Sequence, residues 1–417
     1  MPTKLPSDAD EKILAYIETM RRRLIDQSGR NRLINFRATA RSSIQLLYAD
    51  SSHIWQRLVS EERPWKLIPG CLRELTENEG NEDPQSAKSR KKTQLRFLPK
   101  EDICSSAQRG QLAVKLDHTQ LRSIGTLIRR KATAVIEETG INHLYLSIGF
   151  LKWYESEDSE IERISPLLLI PITLKSTPPP SGELEAGLEI EHDGSDIEPN
   201  ISLNLTLEER FNISLPFIDE DEVVNDYLSR VKRAISRKKN WEIVNDAFLA
   251  FFSFAKLRMY QDLNPDVWPQ GQRLESNELV RAMLVGSEQM DDNPYYGEVE
   301  IHDEHEAAHE IPLVVDADSS QHTAILKVFE GKNTVIEGPP GTGKSQTITN
   351  IIASAIASGK TVLFVSEKLA ALNVVKSNLD SIGLGDFCLE LHSNKAGKGQ
   401  VHHSIEQRTK QHFPMPH

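Results

Sequence analysis

Gly338-Pro-Pro-Gly-Thr-Gly-Lys-Ser345 fits the phosphate-loop pattern GxxxxGK[ST] at every constrained position. Its three glycines let the backbone curl so that N–H groups point inward at phosphate oxygens. The pattern carries chemistry only where a strand delivers the chain to the loop and a helix leaves it. Thr334, Val335 and Ile336 supply a β-branched approach, and the segment from Gly343 to Ser358 reads as the helix. The positive end of that helix dipole adds to the pull on an anion. Gly338, Pro339, Pro340, Gly341, Thr342, Gly343, Lys344 and Ser345 therefore form the expected site for a nucleoside triphosphate, ATP with Mg²⁺. Lys344 would reach the β- and γ-phosphates, and the Ser345 hydroxyl would ligate Mg²⁺.

Outward from the loop, strand and helix alternate, as they do in a parallel α/β sheet. Strands are expected at Asn333 to Glu337, Thr361 to Val365 and Phe387 to Leu391, with a second helix from Leu369 to Leu379. Such a segment is the first half of a RecA-like P-loop core. Upstream, Asp316-Ala-Asp-Ser-Ser-Gln321 opens another helix. Gln321 precedes the loop by the distance at which many helicases place a glutamine on the adenine edge. An amide gives and takes one hydrogen bond each, matching N6 and N7 of adenine.

The rest of the chain reads as mixed α+β. Ile13, Leu14, Ile17, Met20 and Leu24 recur at helical spacing, and helix is expected over roughly Asp8 to Leu47, with a stop at Gly29 and a second start after it. Helical spacing returns from Thr119, with Gly140 placed to end it. Leu144 to Tyr154 and Leu167 to Leu174 read as strands around an acidic loop, and helix resumes from Asp219 to Arg237. Trp241 to Tyr260 is densely apolar. Three polar stretches divide the chain. They give an N-terminal helical segment (1–75), a linker (76–95), a mixed domain (96–285), an acidic linker (286–312) and the nucleotide-binding segment (313–417).

Composition narrows the function classes. A net charge of −12 argues against coating nucleic acid by bulk charge, although a local basic groove remains compatible with it. No apolar run approaches the ~20 residues needed to cross a bilayer, and the N-terminus has no apolar signal core. Cys71, Cys104 and Cys388 lie too far apart to suggest a zinc site or a disulfide framework, so a reducing cytoplasm is expected. His305-Glu306-Ala-Ala-His309 matches the zinc-hydrolase pattern HExxH, but it sits in an acidic stretch poor in apolar residues and close to Pro312. A solvated linker is the expected reading there. Arg21, Arg22, Arg23, Arg30, Arg32 and Arg37, and separately Lys232, Arg233, Arg237, Lys238 and Lys239, are candidate phosphate contacts, though charge runs are more often solvated helix faces.

The run from Ile336 to Asn350, followed by Val362-Leu-Phe-Val-Ser-Glu-Lys-Leu-Ala-Ala-Leu372, resembles superfamily 1 helicases of the RNA-surveillance branch. The resemblance implies that Gln346, which follows the loop, joins the nucleotide site, and that Ser366, Glu367 and Lys368 belong to a motif that touches the nucleic-acid backbone. Leu24 to Arg37, Tyr145 to Tyr154, Ser165 to Pro171 and Phe252 to Tyr260 are similar to the start of large bacterial helicases that open with a domain of unknown function. Those relatives continue through a complete helicase core, in some cases to a very-short-patch-repair-like endonuclease domain, and many are associated with DNA defence or repair. The resemblance thus implies DNA or RNA as partner, and a chain that stops after the third core strand. The Walker B acids and the arginine finger would then come from the missing helicase half, on the same natural chain or from a neighbouring gene product, and a nuclease subunit is a further expected partner. The competing expectation is a non-catalytic scaffold for nucleic acid or protein, with a vestigial loop.

Overall fold

A computed structural model describes residues 8–48, 50–76, 92–156, 158–178, 187–219, 222–269, 271–286, 311–391, 402, 405, 406 and 408–410. The chain separates into two compact units. One comprises residues 1–134 and 142–287, and the other comprises 135–141 and 288–417. The expected linker residues 77–91 and the HExxH segment lie outside the described residues.

The first unit is built on β1 (Ser43–Leu47), β2 (Trp65–Pro69), β5 (Gln111–Val114), β6 (Leu144–Tyr154), β7 (Glu162–Thr177), β8 (Gly187–His192), β9 (Glu198–Pro199) and β10 (Glu242–Phe251). Their order is β6-β10-β1-β5-β2-β8-β7-β9, and β6 also pairs with β7, so the pairings close into a ring. β7 makes this possible by its length. Its first half pairs with β6 and its second half with β8, antiparallel in both cases. β1 likewise passes from β10 to β5 within five residues. Only β2 and β5 run parallel among these pairs. β3 (Cys71–Thr76) and β4 (Lys92–Phe97) form a separate antiparallel ribbon.

β6 is buried along its first eight residues and β7 over the stretch from Ser165 to Ile172, so both faces of this hairpin are covered. That is why neither sequence shows a two-residue alternation. The main core includes Leu146, Ile148, Leu168 and Ile170, while Phe36, Phe150, Phe252 and Phe254 form a second cluster. α4 (His118–Thr139) ends where expected, with Gly140 in the left-handed region at φ 73° and its N–H on the Ile136 carbonyl.

The N-terminal expectation needs correction. α1 (Asp8–Leu24) is a single helix; residues 25–42 are turns and extended chain, and the last five residues of the expected helix are β1. Local side chains compete with helix here: Asp26 Oδ1 accepts from Ser28 N (2.9 Å) and Asn31 Oδ1 from Leu33 N (3.0 Å). Tertiary contacts then fix the loop. Asn200 Nδ2 donates to Leu33 O (2.7 Å) and Pro166 O (2.8 Å), Ser165 Oγ to Ile34 O (2.6 Å), and Trp153 Nε1 to Ser165 Oγ (2.8 Å). Part of the N-terminal arginine cluster serves the fold. Arg21 donates to Tyr260 O and lies over the Tyr260 ring, and Arg32 lies over Phe36 and Phe252.

The second unit carries α9 (Ser319–Phe329), α10 (Lys344–Ala357) and α11 (Leu369–Ser381), the last two packed around Ile352, Val375 and Leu379. Both helices expected after the loop are present. The three expected strands form no ladder among the described residues: 333–337, 361–365 and 388–391 are extended but unpaired, and Phe387 closes a 3₁₀ turn. A parallel strand becomes stable when neighbours take its backbone hydrogen bonds and helices cover both faces. Here Val335 is 88% exposed and Leu363 85%, so neither condition holds. The fold is therefore mixed α/β, with a mostly antiparallel sheet confined to the first unit.

Candidate nucleotide-binding site

The loop is shaped by two left-handed glycines, Gly341 at φ 90° and Gly343 at φ 75°. Gly343 is also the N-cap of α10 and offers no side-chain cap. The first N–H groups of α10 therefore lack intrahelical partners. A side chain at Gly343 would be strained by its φ and would collide with Gln321 Nε2, 2.3 Å from an ideal Cβ position. Within the loop, Thr342 Oγ1 donates to Pro339 O (2.9 Å). Lys344 Nζ donates to Pro339 O (2.7 Å) and to Gly338 O, so its ammonium already faces the curl of the loop. Ser345 stands half-buried in the first turn of α10, and Gln346 beside it is exposed.

Gln321 occupies a definite place. Asp318 caps α9 by accepting from Gln321 N (2.8 Å), and Gln321 Oε1 accepts from Asp318 N (3.3 Å), which completes a capping box. Gln321 Nε2 then donates to Thr342 O (3.0 Å), joining that cap to the loop. The Ser320 hydroxyl and the backbone N–H of Gln321 hold the Asp318 carboxyl below the usual aspartate range.

Sequence reasoning missed the residues that hold the chain against α10. Asn350 is wholly buried. Its Oδ1 accepts from Val314 N (2.9 Å) and Val315 N (3.1 Å), and its Nδ2 donates to Val315 O (2.9 Å). One turn on, Ser354 Oγ donates to Pro312 O (2.7 Å). Residues 312–321 thus form a strap fixed to α10 at two places and to the loop at a third. The available signal was polar residues four apart, Asn350 and Ser354, in the otherwise apolar second half of α10. Nothing in the sequence says which backbone they meet.

Ser366, Glu367 and Lys368 lie at the turn entering α11. Lys368 is its N-cap, and the Lys368 N–H donates to Ser366 Oγ (3.3 Å). Glu367 and Lys368 are exposed and Ser366 is half-buried. A cleft of about 770 Å³ opens between α10, α11 and the segments 361–366 and 387–391, and none of residues 338–346 lines it. Its walls, including Ile352, Phe364, Val375 and Leu379, are those of a helix layer facing unpaired strands, unlike a phosphate site. Among the described residues no cluster of His, Cys, Asp or Glu could hold a metal, and no helix is long and apolar enough to cross a membrane.

The glycine curl, the uncapped helix start, the inward ammonium and a hydroxyl in the first turn are the donors a magnesium-bound triphosphate requires. Residues 23–207 match the family described as "Protein of unknown function (DUF4011)", and residues 316–397 match the family described as "AAA domain". The chain is 28% identical over 197 residues to an uncharacterized ATP-dependent helicase of Mycoplasma genitalium, across 46% of this chain and 16% of that protein. It is 52% identical over 64 residues to that helicase's homolog in Mycoplasma pneumoniae, across 15% of this chain and 6% of the homolog. The chain spans well under two thirds of either relative's length. No solved structure matches.

Proposed function

We propose that this chain, in which a DUF4011 domain precedes an AAA domain, is the ATP-binding portion of a superfamily 1 helicase-like motor. The observation that carries the proposal is the loop 338–345, whose left-handed glycines and inward Lys344 make a basic, N–H-rich cradle. In this reading the loop backbone and Lys344 bind the phosphates. Ser345 holds Mg²⁺, which when bound offsets charge on the phosphate oxygens. Ser366, Glu367 and Lys368 contact a DNA or RNA strand. Segments 333–337, 361–365 and 387–391 pair into the parallel sheet of a RecA-like core when the remainder of the motor, or a partner subunit, supplies their neighbours. The cellular setting is bacterial DNA defence or repair in the cytoplasm, which the resemblance to large bacterial helicases supports.

A motor couples its two ligands, whereas a scaffold does not. Mg·ATP affinity and turnover of the full chain, measured with and without single-stranded DNA and single-stranded RNA, separate the two. The motor reading expects a strand to change ATP affinity or turnover, and expects Lys344→Ala to abolish the effect. Strand binding indifferent to both nucleotide and Lys344→Ala would favour the scaffold.

A further inference from the structure

We propose that the basic turn from Lys232 to Lys239, in the first unit, is a docking surface for the phosphate backbone of a nucleic-acid strand. The phosphate loop belongs to the second unit, and the inference takes from the helicase-like reading only the kind of polyanion. Of the ten residues from Arg230 to Lys239, six are basic and none is acidic, in a chain whose net charge is −12. Lys232 and Arg233 close α6 (Val224–Ala234), where cations offset the carbonyl end of the helix dipole. Arg237, Lys238 and Lys239 lie beyond the helix, so that role does not account for them.

The fold does not use most of these charges. Arg230 is taken by Glu222, with Nε donating to Oε1 at 2.8 Å, and Glu242, the next acid after the turn, is taken by Lys152 at 3.1 Å. Lys232, Arg233, Arg237 and Lys239 are exposed, and among the described residues their side chains make no hydrogen bond or ion pair. The N-terminal arginines differ, since Arg21 and Arg22 both meet Glu18, and Arg32 lies over two aromatic rings. The turn is also held in shape. Ile235 is 3% exposed, Lys238 N donates to Ile235 O (2.9 Å), and Ser236 Oγ donates to Arg233 O (2.8 Å). Lys238 Nζ stands 4.7 Å over the ring of Phe211, the last residue of α5 (Ile201–Phe211). Phe211 packs edge-on against Trp241 at 5.0 Å, and both rings meet Trp153, so an aromatic cluster braces the cations from behind. Like charges fixed close together repel. A strand with phosphates at regular intervals relieves that repulsion and releases its own counterions. Contacts of this kind position a strand without reading its sequence.

The test is binding of fluorescent single-stranded DNA of mixed sequence to the full chain, without nucleotide and over rising salt. Wild type is compared with the double variant Arg237→Gln, Lys239→Gln and with a control, Lys100→Gln, Arg130→Gln, which removes the same charge from exposed sites elsewhere in the first unit. The turn variant should bind about tenfold more weakly at low salt, with a log–log salt slope shallower by about 1 to 1.5. The control should stay within about twofold of wild type, and all three proteins should melt alike. Unchanged binding by the turn variant would overturn the proposal. An equal loss in the control would also overturn it, by reducing the effect to bulk charge. Loss of binding to phosphatidylserine–phosphatidylcholine vesicles, with strand binding intact, would assign the turn to a membrane surface instead. A wild-type chain that binds no strand would sink this inference, while saturable Mg·ATP binding by the same protein would leave the reading of the loop standing.

Discussion

The two units handle apolar β-prone sequence in opposite ways. In the first, strands rich in leucine and isoleucine close into a ring, so that the core strands keep no free edge and Leu144, Leu146, Ile148 and Ile170 are wholly buried. In the second, equally apolar segments around Val335, Leu363 and Val365 are extended, unpaired and largely exposed, and the core reduces to the helix contacts around Ile352, Val375 and Leu379. The order in the second unit comes instead from polar staples: the buried Asn350 and Ser354, and the exposed Asp318–Gln321 cap. Burial of side chains holds the first unit together, and hydrogen bonds to backbone hold the functional end of the second.

That contrast can be broken most sharply in the ring. Trp153 is wholly buried, and its indole N–H feeds the Ser165 hydroxyl that anchors Ile34. Trp153→Ala should cost about 3–5 kcal/mol by chemical denaturation of the first unit. It should leave amide exchange in α10 unchanged; equal deprotection of α10 would show that the two units do not draw stability from separate sources.

The matching break in the second unit is Asn350→Ala. Removing this amide strands the Val314 and Val315 N–H groups and the Val315 carbonyl, at a cost of about 2 kcal/mol or more. Amide exchange at residues 314–321 and at the first turn of α10 should accelerate while the ring stays protected. A neutral effect would mean that the strap is held by something other than Asn350.

The smallest effect is a pH dependence in the ring. Burial holds the His143 imidazole below the usual histidine range. The unfolded chain therefore takes up this proton before the folded one does. The contribution is flat above the unfolded histidine value near 6.5 and becomes destabilising as pH falls below it. Melting of the first unit should decline from pH 7 toward 5, and His143→Gln should flatten part of that slope. An identical slope in the variant would assign it to other groups.

How much of this was legible in the sequence follows from the range of the interactions. The loop at 338–345 is a local device, and its glycines and lysine announce their conformation and place without reference to any other segment. The hairpin of β6 and β7, and α4 with Gly140, were readable for the same reason. The ring was not, because β1 joins β10 across about two hundred residues and β7 changes partner midway. The stretch after Leu24 misled because Leu33 and Phe36 have helical spacing, yet the Leu33 carbonyl is claimed by Asn200 and the Phe36 N–H by the Ile164 carbonyl. The strand reading of 361–365 followed apolar composition, which signals β preference but cannot supply a neighbouring strand. Asn350 was invisible as a staple because its partners are backbone groups.

The central claim, that residues 338–345 hold a magnesium-bound triphosphate, is tested most directly by equilibrium titration of Mg·ATP into the full chain and into Lys344→Ala. Charge-assisted contacts to phosphate predict saturable binding to the wild type, displaced by inorganic tripolyphosphate, and a loss of about tenfold or more in the variant at unchanged melting temperature. Equal affinity in the two proteins would contradict the account.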